Sequence, residues 1–355
     1  MIYKLLLDGF DIFNQQDDRK LLNSNVSIEL NAAGSCEFTM PVSHRYYDLV
    51  SLLNQTLEIY DENNTVIWFG RPTEITTDFY NQKKVYFEGP MAFFGDTIQR
   101  PVEQFNYSVR QFFIDLITAH NSQVTDPNRQ FTVGNITIPD RAVYRKTDYE
   151  TTKECLERMC IDAEGGYIFF RRESGVNYID WLDYPSTNSN QPIVYAMNLK
   201  DIEQNLNCDD LITAVIPLGK EDETTGVKLD IKSVNAGVDY LINTEAESVY
   251  GRIFGVAEYS EIDDPTKLKN EGEKYLTDKQ YDRLSLDVSS ADISYINSEY
   301  SSFRLGDLVH VLSTPHIIDR TLPITQISFS FDDPVKDITI GTTKRPSLTE
   351  IYYEG

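Results

Sequence analysis

The chain has 355 residues and a mass of 40.8 kDa, enough for about two to four domains, and its 41% hydrophobic and 12% aromatic content excludes wholesale disorder. Its 32 basic residues face 56 acidic ones, giving a formal charge of −24 and a pI near 4.5. That balance repels phosphate backbones and anionic lipid, and so excludes tight nucleic-acid or membrane-surface binding. It fits plain solubility, and it also fits a negative channel wall along which DNA slides without sticking.

In chain order, the opening MIYKLLLDGFDIFNQ lacks the basic region and long apolar run of a signal peptide. The first hundred residues then give short β-rich runs at 5–7, 26–30, 37–40, 56–60, 66–69 and 84–88, cut by turn signals such as Asp61-Glu62-Asn63-Asn64 and Gly89-Pro90. Apolar residues at Val109, Phe112, Phe113, Leu116 and Ile117 have helical spacing, with Ser108 and Gln111 placed as a capping box. A second helix is expected over 152–163, opened by Thr151 and Glu154 and closed by Gly165-Gly166. A hairpin follows around Glu173-Ser174-Gly175. Strands are expected again at 212–218 and 227–234. Asp264 with Pro265 starts a third helix running to about Gln280. Strands return at 285–296, 308–312, 324–331 and 337–340.

Two stretches look alike. LEIYDENNTVIWFGRPTEITTDFYNQKKVYFEG from Leu57 resembles LVHVLSTPHIIDRTLPITQISFSFDDPVKDITIG from Leu308. Pro72 and Pro323 lie fifteen positions on, Thr73–Ile75 matches Thr325–Ile327, and Gly89 and Gly341 close the two, the second interval being one residue longer. Either two short β segments agree by chance or one β module is duplicated around the helical middle.

Catalysis requires titratable or nucleophilic groups gathered in a cleft. The four histidines, His44, His120, His310 and His316, belong to no metallohydrolase pattern and are expected to be structural. Cys155 and Cys160 share an apolar helix face. Cys36 and Cys208 have no evident partner, and the four cysteines lack metal or disulfide spacing, which points to reduced thiols. The acidic pairs Asp209-Asp210, Asp263-Asp264 and Asp332-Asp333 are expected in caps and turns, without the spacing of a calcium loop. Gly219-Lys220 lacks the rest of a phosphate loop, and Arg171-Arg172 and Lys83-Lys84 are too short for a nucleic-acid site. No catalytic, cofactor or metal residue is therefore assigned.

The chain resembles the tail-associated hub proteins of phages of Gram-positive bacteria, the prophage endopeptidase tail or minor structural proteins. The likeness lies in NAAGSCEFTMPVSHRYYDLV (31–50), YRKTDYETTKECLERMCIDAEGGYIFF (144–170) and above all the stretch 206–255. There Ile216-Pro217-Leu218-Gly219-Lys220, Val234-Asn235-Ala236-Gly237 and Asp239-Tyr240 follow the family's order, and FRLGDLVHV (303–311) completes it. The resemblance implies a mainly β, α+β architecture like a phage baseplate hub, with two tube-protein-like β-barrels flanking α+β domains. The expected parts are a first barrel at 1–98 completed by strands within 198–232, and an α+β domain at 99–197. A small α+β domain at 233–285 with helix 265–280, a second barrel at 286–345 and a tail at 346–355 complete the list. It further implies a homotrimer that joins a hexameric tail tube to tip components, with distal tail or tail-tube proteins and receptor-binding or spike proteins as partners. DNA would meet it only in transit. Such a protein is assembled in the bacterial host cytoplasm and resides at the virion tail tip. Longer members carry a peptidoglycan-cleaving or fibre-like extension after the point where this chain ends at Tyr352-Tyr353-Glu354-Gly355, so endopeptidase activity is not carried over. A cell-wall hydrolase and a carbohydrate-binding tail module stacking tyrosines on sugars are the alternatives. The loops around Tyr46-Tyr47 and 316–320 are expected at matching places of the two β units, as tube contacts.

Overall fold

The computed structural model describes residues 3–183, 187–207, 211–222, 225–259, 262–279, 283–333 and 335–341. Cys208, Asp209-Asp210, Gln280 and the 346–355 tail lie outside them. The chain divides into two compact units, one built from 1–203 with 287–340 and the other on 204–286.

Short strands β1 (Lys4–Leu7) and β2 (Phe10–Asp11) lead into β3 (Leu22–Glu29), β4 (Ser35–Met40), β5 (Leu57–Tyr60), β6 (Val66–Thr77) and β7 (Lys83–Glu88). Alternation along Ser35–Met40 puts Cys36, Phe38 and Met40 in the core and Ser35, Glu37 and a covered Thr39 on the other face. A 3-10 helix at Pro90–Asp96 then opens an α+β insert. It comprises β8 (Val102–Ser108), α1 (Val109–Gln123), β9 (Phe131–Ile136), β10 (Ala142–Thr147), α2 (Thr152–Cys155) and the hairpin β11 (Tyr167–Glu173) and β12 (Val176–Leu182). Its core of Phe112, Phe113, Leu116, Met159 and Trp181 is continuous with Phe69, Phe93 and Phe94, so the insert is welded to the first β unit. Asn31 clips the two together. Its side-chain amide donates to Gly166 O at 3.0 Å and its carbonyl accepts from Ile168 N at 2.8 Å.

Helix capping follows the sequence with one difference. Thr151 and Glu154 form the full reciprocal box. Ser108 accepts from Gln111 N, but the Gln111 side chain turns away to Asp115, and Asp140 takes the Ser108 hydroxyl instead. The expected helix 152–163 is α-helical over Thr152–Cys155, continues as a π-helix over Leu156–Asp162 and closes with α-helical Ala163 and Glu164. Left-handed Ser174 and Gly175 form the two-residue turn of the hairpin.

The chain continues through β13 (Ile193–Val194) into β14 (Leu199–Asn207). The second unit holds β15 (Ala214–Leu218), β16 (Leu241–Ile242), α3 (Thr244–Tyr250), β17 (Phe254–Glu258) and α4 (Pro265–Lys279). Asp264 caps α4 through Thr266 N and Lys267 N, as expected. β15 lies between antiparallel β16 and parallel β17, over a core of Val215, Ile231, Leu241, Leu268 and Leu276. Gly272 permits close contact of α4 with β15, since a Cβ there would meet Pro217 at 2.9 Å. The expected strand at 227–234 is not formed. A single bridge, Glu221 to Lys228, and a 3-10 turn at Lys232–Val234 replace it.

Finally come β18 (Arg283–Ala291), β19 (Leu308–Ser313), β20 (Ile318–Phe329) and β21 (Val335–Gly341). These join one 13-stranded sheet with order β14-β18-β21-β20-β3-β4-β7-β6-β5-β1-β2, β19 pairing with β20 and β13 with β19. The strands expected in 1–98 and in 286–345 thus share a sheet. The 198–232 stretch does not complete the first β unit: β14 lies at the opposite end of the sheet from β5, and β15 belongs to the second unit's own core.

Candidate assembly surface

Within the sheet one five-strand pattern occurs twice. Strands β3, β4, β5, β6 and β7 are ordered β3-β4-β7-β6-β5; β14, β18, β19, β20 and β21 are ordered β14-β18-β21-β20-β19. The registers agree as well. Leu57 faces Gly70 as Val309 faces Leu322, and Ile59 faces Trp68 as Val311 faces Arg320. Both long strands carry a bulge at the same place, between Pro72 and Glu74 and between Ile324 and Gln326. The structural counterpart of Pro72 is therefore Ile324. Matching the two prolines, as the sequence invites, is one residue out, and in a strand such a slip exchanges the faces. The loops at Tyr46-Tyr47 and 316–320 are not counterparts either. The first precedes β5, whereas His316 follows β19 and corresponds in position to the turn between β5 and β6.

The modules meet where β20 pairs with β3, through Gln326 to Glu29, Ile327 to Ile28, Ser328 to Ser27 and Phe329 to Val26. Cross-strand partners share a face, so a polar face runs through Ser328, Ser27 and Ser35, then Glu37, Tyr86 and Glu74. At its other end Asp201, Glu203, Asp287 and Asp337 line a shallow depression with Gln326 and Ser328. Carboxylates dominate this face, and Lys84 is tied to Glu37 at 2.9 Å. The opposite face is apolar, with Val26, Phe38, Val85, Phe87, Val288, Phe329 and Ile338 buried.

A charged pair is sealed on the buried side. Lys336 Nζ lies 2.9 Å from Asp292 Oδ2 and donates to Ser302 Oγ at 2.6 Å, while Ser294 and Ser302 donate to the same carboxylate at 2.6 Å each. Burial pushes the Asp292 carboxyl up, but Lys336 and the two hydroxyls outweigh it and hold the group below the usual carboxylate range. A cavity of about 240 Å³ lies nearby, lined by Trp68, Phe169, Tyr295, Phe303 and Phe329 among others.

The titratable groups singled out in the sequence are dispersed. His44 Nε2 meets Ile12 O at 3.1 Å and its Nδ1 accepts from Tyr46 N. His120 lies between Thr97 Oγ1 at 2.8 Å and Arg129 O at 2.9 Å. Burial lowers the pKa of both. His310 contacts Thr321 and Asp319, and His316 Nδ1 is 2.6 Å from Ser313 Oγ. Cys36, Cys155 and Cys160 are buried free thiols, and burial pushes each up, Cys155 to about 12. Asp333 accepts from Val335 N in a turn. Among the described residues no group of His, Cys, Asp and Glu could hold a metal, and no helix is long and apolar enough to cross a membrane.

Solved structures share this architecture. The 43 kDa tail protein of prophage MuSo2 from Shewanella oneidensis aligns at TM-score 0.65 and 13% identity, over 97% of this chain and 98% of that one. A tail protein of Neisseria meningitidis gives 0.65 and 12%, over 96% of each. The prophage tail protein gp18 of Listeria monocytogenes gives 0.60 and 14%, over 98% and 97%. The fold is that of phage tail proteins. Residues 187–352, which include 204–286 of the second unit and all of the second module, match the family model described as prophage endopeptidase tail. No curated protein matches the sequence. The tail-protein fold extends to an Escherichia coli component of the type VI secretion system, described as similar to the T4 bacteriophage tail proteins gp27 and gp5. That structure aligns at 0.54 and 12%, over 97% of this chain and 77% of the other. Fold and family match together support a phage tail-associated protein.

Proposed function

We propose that the chain is a structural hub at the tip of a phage or prophage-like tail, in which three copies close into a ring of six sheet modules. The observation that carries this reading is the repeated module, since a threefold particle meets a sixfold tube without mismatch only when each subunit offers two equivalent patches. The sheet edges support ring closure. Within the chain, β20 of the second module receives β3, the first strand of the first module. The counterpart of that edge is the Glu74–Thr77 part of β6, which pairs with β7 on one side and with no described strand on the other. The counterpart of β3 is β14, which ends the sheet. Joining β6 of one copy to β14 of the next repeats the internal junction between subunits and covers the β14 edge together with the Glu74–Thr77 flank of β6.

The carboxylate-rich polar face is suited to the inside of such a ring, where it would repel DNA backbone and let it pass. Distal tail or tail-tube proteins on one side and receptor-binding or spike proteins on the other are the corresponding partners, the virion tail tip is the place, and the bacterial cytoplasm is where the particle assembles. The role is non-enzymatic. The buried histidines and high-pKa thiols support it, because each is spent on backbone or core contacts. Sedimentation equilibrium is the test: a trimer mass, and co-sedimentation with tail-tube protein, are expected. A monomer at all concentrations that does not join tube protein overturns the reading.

A further inference from the structure

The two modules differ at one matching point. Two residues beyond the last ladder residue of β20, Phe329, stands Phe331; two beyond the last of β6, Thr77, stands Phe79. Phe331 is 3% exposed and is held by Phe38 of the first module and by Tyr3 and Phe13 of the segment that precedes it, with ring centroids at 6.5, 6.2 and 5.3 Å. Phe79 is 92% exposed, with Tyr80 edge-on to it at 5.3 Å.

The loop that presents Phe79 is nonetheless built. Asp78 accepts from Tyr80 N at 2.9 Å and from Gln82 N at 2.7 Å, Asn81 is left-handed, and the Tyr47 hydroxyl donates to Asn81 O at 2.5 Å. Lys83 lies over the Tyr47 ring at 4.0 Å. A preorganised loop displaying a bare phenyl ring beside a strand edge with no described partner loses little entropy on docking.

We infer that Phe79 is the plug by which each copy of this chain docks on the second module of a neighbouring copy, as Phe331 plugs the second module into the first within one chain. The occupant is set by the internal template: wherever this module's second long strand receives a neighbour's first strand, the aromatic residue past its end enters that neighbour's core. The step rests on the ring reading above and names its contact.

The test compares wild type, Phe79→Ser, Phe79→Leu and Phe105→Ser by sedimentation velocity over a dilution series. Phe105 is 69% exposed, sits in the insert and serves as the control. Wild type, Phe105→Ser and Phe79→Leu are expected to remain trimeric. Phe79→Ser, with an unchanged melting profile, is expected to dissociate at a concentration about tenfold or more higher. Amide exchange across 74–80 should be slowed in the trimer alone. A trimer indifferent to Phe79→Ser, or one in which 74–80 exchange as in the monomer, overturns this inference and leaves the ring standing; Phe79 is then free for a different tail protein. A wild-type monomer overturns both.

Discussion

The two ends of the sheet show one module in two surroundings. In the second module, β20 is flanked by β21 and β3, Phe331 is buried, and Lys336 is sealed against Asp292. In the first, Glu74–Thr77 of β6 has no described strand on one flank, Phe79 stands in solvent, and Lys83, the counterpart of Lys336 by its pairing with the last ladder residue, meets the Tyr47 carbonyl and ring. The same strand order thus gives a core where a neighbour is present and a surface where none is. Side-chain identity alone does not decide burial; the neighbouring strand does.

Substituting counterparts is the sharpest way to break the comparison. Phe331→Ala empties a filled aromatic socket and should cost about 3–5 kcal/mol, while Phe79→Ala in the monomer should stay within about 0.5 kcal/mol. Urea unfolding measures both, and equal losses would mean that the sites are not counterparts. Lys336→Met leaves the Asp292 carboxylate buried and unpaired, an expected loss of about 3–5 kcal/mol, whereas Lys83→Met should cost no more than about 1 kcal/mol. The pair's contribution is present above the ordinary carboxylate range and fades as pH falls through the depressed Asp292 pKa, so the gap between these two variants should narrow in acid.

A smaller effect belongs to Asp307, which lies in the turn before β19, where its backbone carbonyl accepts from Ile324 N. Burial raises its carboxyl to about 6. A carboxyl raised on folding stabilises least when ionised, so wild-type stability should decline as pH climbs from about 4 to 6 and then level off. Asp307→Asn should abolish that decline and gain roughly 1 kcal/mol at pH 8, discounted for partial exposure, with no gain at pH 3. Calorimetry at the two pH values decides it. Thr151→Ala should cost about 1 kcal/mol through loss of the capping box, and no assembly effect is expected, because the cap lies in the insert.

Local chemistry was legible from the sequence where the signal is local. Asp264 and Thr151 as caps, the Ser174-Gly175 turn and the β-rich run at 37–40 need only neighbours a few residues away. The repeat was visible too, through Thr73–Ile75 and Thr325–Ile327, but the prolines drew the alignment one residue off, because Pro323 stands one place before Ile324, the counterpart of Pro72 in strand register. Strands β8 to β10 were missed. Val102–Ser108 and Ala142–Thr147 are half-exposed ribbons with little apolar alternation, and they are strands because they pair with each other. The candidate surface was legible only as an acid excess. Which carboxylates share a face depends on pairings such as Gln326 with Glu29, far apart in sequence.

That last pairing constrains the order of events during synthesis. Val26 is among the first residues to leave the ribosome and its ladder partner Phe329 is among the last of the sheet to follow. Until then the nascent chain carries β3 without its partner, and contacts of such long sequence separation form slowly. A chain cut short before Phe329 would keep that edge open, so translation to the far end of the second module is the condition under which a copy acquires a capped inner seam.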